Sequence, residues 1–178
     1  MPDQKKILVT RKLPDAVNDR ARVTYQATLN GDDEPYDADQ MIELAHGMDA
    51  VLCTITNDMS RGVIERLPDS IRAIATFSVG YEHIDIEAAR ERDIVVTNTP
   101  GVLTQATADI ALLLMLGASR RAREGAEMIA EGWSGWTPTQ LMGVSMQAKR
   151  LGILGMGEIG RACAVRARTF GMEIHYHN

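Results

Sequence analysis

Aromatic side chains make up only 4% of this 178-residue chain, and there are just two cysteines. Cys53 and Cys163 are far apart, with no Cys-x-x-Cys or His/Cys spacing around them. That excludes a disulfide framework and a zinc module, and points to two free thiols in a reducing cytosol. Basic charge is not in excess, since 19 Lys and Arg face 24 Asp and Glu for a net charge of −5. A nucleic-acid surface therefore has no support. Long hydrophobic runs are missing too. The longest, Ile110 to Leu116, is far short of the ~20 residues a bilayer span needs. The polar start Met1-Pro2-Asp3-Gln4-Lys5-Lys6 has no signal-peptide core, so a soluble, cytoplasmic protein is expected, with no membrane partner.

What is present is aliphatic. The apolar fraction is 45%, ordinary for a globular protein, and ten Met join Ala, Val, Ile and Leu at the apolar positions. Short β-rich runs occur at Lys6–Thr10, Asp49–Thr54, Ile71–Phe77 and Ile94–Thr97. Between them lie helical stretches: Pro14–Ala21, Asp37–His46 with Asp37 as N-cap and Gly47 as stop, Ser60–Leu67, and Asp85–Arg92. This alternation predicts parallel βαβ units in a doubly wound α/β sheet. Near Pro100-Gly101 the character changes. Thr104 to Ile129 reads as one long helix, apolar at first and then charged, followed by a Gly-rich loop carrying Trp133 and Trp136. Arg150–Leu154 reads as a strand, Glu158–Phe170 as a helix and Met172–Tyr176 as a strand.

Gly155-Met156-Gly157-Glu158-Ile159-Gly160 joins that strand to that helix with the spacing G-x-G-x-x-G. Each glycine has a job in a dinucleotide fold: Gly155 makes the tight turn, Gly157 lets backbone approach a pyrophosphate, and Gly160 lets the helix sit close to the strand. The free N–H groups at the helix start would bind the anion. The plain alternative is a strand-to-helix turn with no ligand. About 20 residues beyond such a turn an acidic residue accepts the ribose hydroxyls in NAD-specific sites. Here that position is Asn178, which is neutral. A missing carboxylate removes repulsion against a 2′-phosphate and favours NADP over NAD. Glu158 argues the other way, because it places negative charge close to the pyrophosphate.

Phe77-Ser78-Val79-Gly80-Tyr81-Glu82-His83-Ile84-Asp85 also joins a strand to a helix. Backbone N–H groups at Gly80 could face the crevice where open α/β sheets bind ligands, and would suit a carboxylate. The rival reading is an ordinary turn, with Gly80 permitting positive φ and Asp85 capping the next helix.

Taken together, the chain resembles the D-isomer-specific 2-hydroxyacid dehydrogenases, and most closely their glyoxylate/hydroxypyruvate reductase branch. The carrying residues are Ile7 to Arg11, Ser78 to Tyr81, Ile94 to Thr104, Ala106 to Asp109, Trp133 to Trp136 and the glycine turn. The resemblance implies a flavodoxin-like substrate domain over residues 1–100 and the start of a Rossmann NAD(P)-binding domain over 101–178, with substrate in the cleft between the two. It implies that Val79 and Gly80 hold the carboxylate of a 2-oxo acid such as glyoxylate or hydroxypyruvate. Thr104, Gly155, Met156, Gly157, Glu158, Ile159, Gly160 and Asn178 would contact NADP or NAD. The reaction implied is reversible hydride transfer between the nicotinamide and C2 of the acid. A homodimer built by the Thr104–Ile129 helix and the Trp133–Trp136 arm is expected, with simple intradomain core as the rival role for that helix.

Two residues depart from the family pattern. Glu158 stands where a basic or neutral residue is usual, and Asp93 where Gly is common, at a turn before a strand. The resemblance also places the catalytic Arg, the catalytic His and the carboxylate that partners it beyond Asn178. No catalytic residue and no metal site are then expected in this chain, and residues 1–178 alone are expected not to turn over. His46, His83, His175 and His177 read as surface or packing residues. The competing function is a non-catalytic module of the same fold that binds a dinucleotide or a partner.

Overall fold

A computed structural model describes residues 4–178, so the start Met1-Pro2-Asp3 lies outside the described residues. The chain divides into two compact units, one ending at Pro100 and the other running from Gly101 to Asn178.

The first unit is built on a five-stranded sheet of β1 (Lys6–Val9), β2 (Gln26–Leu29), β3 (Ala50–Cys53), β4 (Ala73–Thr76) and β5 (Val95–Thr97). All neighbours are parallel, in the order β2-β1-β3-β4-β5. This is the flavodoxin-like order, whose direction reverses between β1 and β3. The helices are α1 (Asp15–Thr24), α2 (Ala38–Leu44), α3 (Arg61–Ile64) and α4 (Ile86–Glu91). Asp37 closes the start of α2 through a capping box with Gln40, and Asp85 caps α4 by accepting the Ala88 N–H at 2.8 Å. Gly47 follows α2 at φ 75°, a left-handed stop that favours glycine.

The main core lies between the sheet and helices α2–α4. Leu8, Val51, Ile74, Met41, Met59 and Ile64 are all fully buried there, each stabilising by about 1.5–3 kcal/mol relative to exposure. A smaller cluster of Ile7, Val9, Leu13 and Ala21 sits under α1. Strand β2 carries only a short signal, a four-residue polar-apolar alternation in which Ala27 and Leu29 are half-buried. It exists because edge pairing with β1, from Lys6↔Gln26 to Val9↔Leu29, satisfies its backbone.

The second unit contains α5 (Thr104–Ser119), α6 (Ala122–Ala130), β6 (Arg150–Leu154), α7 (Glu158–Thr169) and β7 (Glu173–His177). β6 and β7 pair in parallel. Ala108 and Leu112 on α5 and Ala164 and Ala167 on α7 are buried, and the small residues let the two helices approach closely. Arg166 ties them together, reaching Asp109 at 2.6 Å and Gln105 Oε1 at 2.9 Å.

The single helix expected over Thr104–Ile129 is in fact two. It breaks at Arg120-Arg121, with Arg121 in the left-handed region at φ 56°. The cause is distant in sequence. The Val144 N–H donates to the Ser119 carbonyl at 2.7 Å, and a side chain at Gly143 would collide with that carbonyl. The returning loop thus occupies the end of α5. Among the described residues no helix is long and apolar enough to cross a membrane.

Candidate functional site

In the first unit the candidate region lies at the carboxyl ends of β1, β3 and β4, the side where open parallel sheets bind ligands. Thr10, just after β1, is fully buried, and its hydroxyl donates to Asn57 Oδ1 at 2.7 Å. Asn57 Oδ1 also accepts the Thr54 N–H at 3.0 Å, which fixes the loop after β3. Arg11 makes a two-pronged contact with Asp33 and reaches Thr56 Oγ1 at 2.8 Å. The Arg11 hydrogen bond, helped by the Lys12 N–H, holds the Asp33 carboxyl down at about 2.

The loop after β4 is the more telling one. Its three consecutive carbonyls are all taken: Ser78 O accepts the Thr99 N–H at 2.9 Å, Val79 O accepts Asn98 Nδ2 at 2.7 Å, and Gly80 O accepts the Ser78 hydroxyl at 2.7 Å. The N–H groups of Val79 and Gly80 donate to no protein acceptor among the described residues. Positive φ is not the reason for glycine at position 80, because Gly80 is absent from the left-handed residues. The turn reading is corrected in that respect. Nor is backbone packing the reason, since a Cβ there would meet only the mobile end of the Glu82 side chain. Among the described residues nothing in the fold itself therefore demands glycine at position 80.

Behind this loop, Thr76 Oγ1 lies 2.6 Å from Ser78 Oγ and 3.2 Å from His83 Nε2. Burial lowers the His83 pKa, against an opposing pull from Glu82. Cys53, fully buried on β3, is pushed up to about 11 by desolvation.

In the second unit the glycine turn joins β6 to α7. Gly155 takes φ 89°, and its N–H donates to His177 O at 2.8 Å. Gly157 is the N-cap of α7 at φ −69°, with open space where a side chain would stand. Gly160 is buried, and a Cβ on it would run into the Gly155 carbonyl. Among the described residues the N–H groups of Gly157, Glu158 and Ile159 have no protein acceptor, as expected for the first turn of a helix. Ile159 is half-buried beside Cys163 and Met115.

Thr104, the first residue of α5, donates to Glu158 Oε2 at 3.1 Å, so these two candidate residues do meet. Asn178 meets the turn too: its Oδ1 accepts the Met156 N–H at 2.7 Å. Val79 and Gly80 belong to the other unit. Of the histidines, His46 is exposed, His83 supports Thr76, His175 pairs with Glu173 at 2.9 Å, and His177 is exposed on β7. Asp93 does sit in a left-handed turn, at φ 53°. Among the described residues no cluster of His, Cys, Asp or Glu could hold a metal ion. Ser78 and Asn98 were not singled out from sequence. A polar residue ending a strand beside a glycine loop was the available signal, but nothing local says that Asn98 reaches across to Val79.

Comparison with known proteins shows the family and the fold of the chain. The family profile of the D-isomer specific 2-hydroxyacid dehydrogenase catalytic domain matches residues 7–154. A glycerate dehydrogenase from Hyphomicrobium methylovorum is 47% identical over 174 residues, covering 97% of this chain and 54% of its own length. A glyoxylate reductase from Thermococcus litoralis is 38% identical over 178 residues, again covering 97% of this chain and 54% of its own length. A crystal structure from Polaromonas sp. JS6 66, described as a D-isomer specific 2-hydroxyacid dehydrogenase, NAD-binding, superposes with a TM-score of 0.90 at 44% identity, over 99% of this chain and 56% of that one. The chain thus spans about half the length of the relatives it matches. With the family profile matching residues 7–154, most of the chain, the chain belongs to the D-isomer specific 2-hydroxyacid dehydrogenase family.

Proposed function

We propose that this chain carries the carboxylate-binding and pyrophosphate-binding parts of an NAD(P)-dependent oxidoreductase. The reaction is hydride transfer between nicotinamide and C2 of a small 2-oxo or 2-hydroxy acid of the glyoxylate or hydroxypyruvate type. The first unit acts as the substrate domain and the second as part of a Rossmann cofactor domain. The supporting observation is the start of α7, where Gly157 leaves open space and the first N–H groups have no protein acceptor. The positive end of the helix dipole favours an anion there.

In this reading Gly155, Met156, Gly157, Ile159 and Gly160 shape the pyrophosphate turn, and Thr104 keeps the Glu158 carboxylate to one side. Val79 and Gly80 N–H groups take the substrate carboxylate. The cofactor supplies the hydride; the chain's own residues bind and orient. The four histidines are read as surface or packing residues rather than as the proton donor that the developing alkoxide needs, and residues 1–178 are expected to bind ligands without turnover. NADP is favoured over NAD because Asn178 adds no negative charge at the ribose position. Free Cys53 and Cys163 suit a cytoplasmic setting.

A homodimer is part of the same proposal. Ile110, Leu113 and Leu114 on α5, and Trp133 and Trp136 beyond α6, are exposed apolar side chains, and exposed apolar surface supports association.

The test is a titration of mass-verified 1–178 polypeptide with NADH and NADPH, followed by an assay with glyoxylate. Saturable dinucleotide binding without glyoxylate reduction is expected. Turnover would overturn the division between binding and catalysis, and no binding at millimolar dinucleotide would overturn the cofactor site.

A further inference from the structure

The loop after β4 owes its free N–H groups to a set of donors that occupy every carbonyl around them. Ser78 O, Val79 O and Gly80 O each have a partner, and each partner comes from a different place: the Thr99 backbone, the Asn98 side chain and the Ser78 hydroxyl. A peptide whose carbonyl is held inward must turn its N–H outward, because the two point in opposite directions across a planar trans bond. The Val79 carbonyl belongs to the peptide that carries the Gly80 N–H, and the Ser78 carbonyl to the one that carries the Val79 N–H. Holding Val79 O and Ser78 O therefore aims Gly80 N–H and Val79 N–H.

We propose that Asn98 and Ser78 are positioning residues for anion binding at this loop. Asn98 aims the Gly80 N–H by holding Val79 O. Ser78 stops the loop from recoiling by holding Gly80 O, and is itself backed by Thr76 and His83. The inference deepens the carboxylate reading above and rests on it.

Asn98 has a further consequence of placement. It lies two residues before Pro100, where the first unit ends, so the clamp on the carboxylate loop is anchored at the start of the connecting segment. The position needs a side-chain donor, which the Asn98 amide supplies. An aspartate would be nearly the same size, but would set a carboxylate against the Val79 carbonyl with no donor between them.

The test is isotope-edited NMR of backbone amides and carbonyls in the 178-residue chain, with oxamate as a carboxylate-bearing probe and oxamide as its uncharged control. In the natural sequence oxamate should move the Val79 and Gly80 amide resonances saturably, while oxamide should not. Ser78→Ala should weaken oxamate binding about tenfold and move the Gly80 carbonyl resonance, and Ser78→Thr should restore both. Asn98→Asp should weaken binding at least as much and move the Val79 carbonyl resonance. Unchanged amides in β4 would show that each variant has kept its fold. Equal oxamate affinity in the natural chain, Ser78→Ala and Asn98→Asp would overturn the clamp and leave the carboxylate reading intact. Oxamate leaving the natural chain's Val79 and Gly80 unmoved would overturn the carboxylate reading and the clamp's purpose with it.

Discussion

The side-chain oxygen of Asn178 accepts the Met156 N–H at 2.7 Å, while the Gly155 N–H donates to His177 O at 2.8 Å. The end of β7 and the glycine turn are thereby joined at two successive N–H groups. The residue proposed for the ribose position thus also braces the turn proposed to hold the pyrophosphate.

Asn178→Asp is the direct probe of cofactor choice. The carboxylate can still accept the Met156 N–H, and it adds one negative charge. NADPH affinity should fall about tenfold relative to NADH, through repulsion of the 2′-phosphate. Paired fluorescence titrations with the two cofactors read this ratio. A ratio that does not move would show that the ribose lies elsewhere.

The glycines of the turn should separate by substitution. Gly160→Ala places a methyl group against the Gly155 carbonyl, and should cost about 1–3 kcal/mol of stability. Gly157→Ala meets open space at φ −69°, and should cost under about 1 kcal/mol as a change of N-cap residue. Its loss should appear in NADH affinity instead, because the methyl group stands where the backbone must approach a phosphate. Urea unfolding and NADH titration of both variants measure the two effects.

Asp93 adopts φ 53° between α4 and β5, a conformation that costs a side-chain-bearing residue energy and glycine little. Asp93→Gly should raise stability by about 0.5–1 kcal/mol. Thermal denaturation would show a gain of a few degrees, and a lower midpoint would mean that the Asp93 side chain contributes something its exposed position does not suggest.

The two thiols should differ sharply in reactivity. Cys53 is fully buried with a pKa pushed up to about 11, and Cys163 is half-buried. Near pH 8 only roughly one Cys53 in a thousand is ionised, so iodoacetamide should label Cys163 first and Cys53 only on unfolding. Peptide mapping by mass spectrometry checks the order. Because the folded pKa exceeds the ordinary value of 9.0, the stability held by the neutral thiol is full below pH ~9 and is lost as pH rises towards 11.

Leu113 is 62% exposed on the apolar side of α5. If that side pairs with a second copy, Leu113→Asp should shift the protein from dimer to monomer at micromolar concentration in sedimentation velocity, without loss of helical signal. A natural chain that sediments as a monomer throughout would remove the homodimer from the proposal.

Much of the fold was legible because its signals are local. Runs such as Ile7-Leu8-Val9 and Val51-Leu52-Cys53 are apolar enough to be strands buried on both faces, and Asp37 and Asp85 announce helix starts through their own side chains. The glycine turn was legible for the same reason: its spacing lies within six residues, and Gly155 by its positive φ and Gly160 by its close approach to the Gly155 carbonyl are required by local geometry. Strand β2 was harder to see, as its alternation spans only four residues and its place is set by pairing with β1. The break between α5 and α6 was hidden for a like reason. It depends on Val144 reaching back to Ser119, and nothing near Arg120 or Arg121 announces it.

The amino-acid sequence by itself determined the parallel α/β class, the position of the glycine turn and the family resemblance, because periodicity, capping residues and glycine spacing act over a few residues. Tertiary structure alone decided how the loop after β4 is oriented. Gly80 looked like a glycine needed for positive φ, and it is not one. The Val79 and Gly80 N–H groups are free because Asn98 and Thr99, some twenty residues later, hold the neighbouring carbonyls. A hydrogen bond between segments depends on where the strands lie side by side, and that is settled only when the sheet has formed.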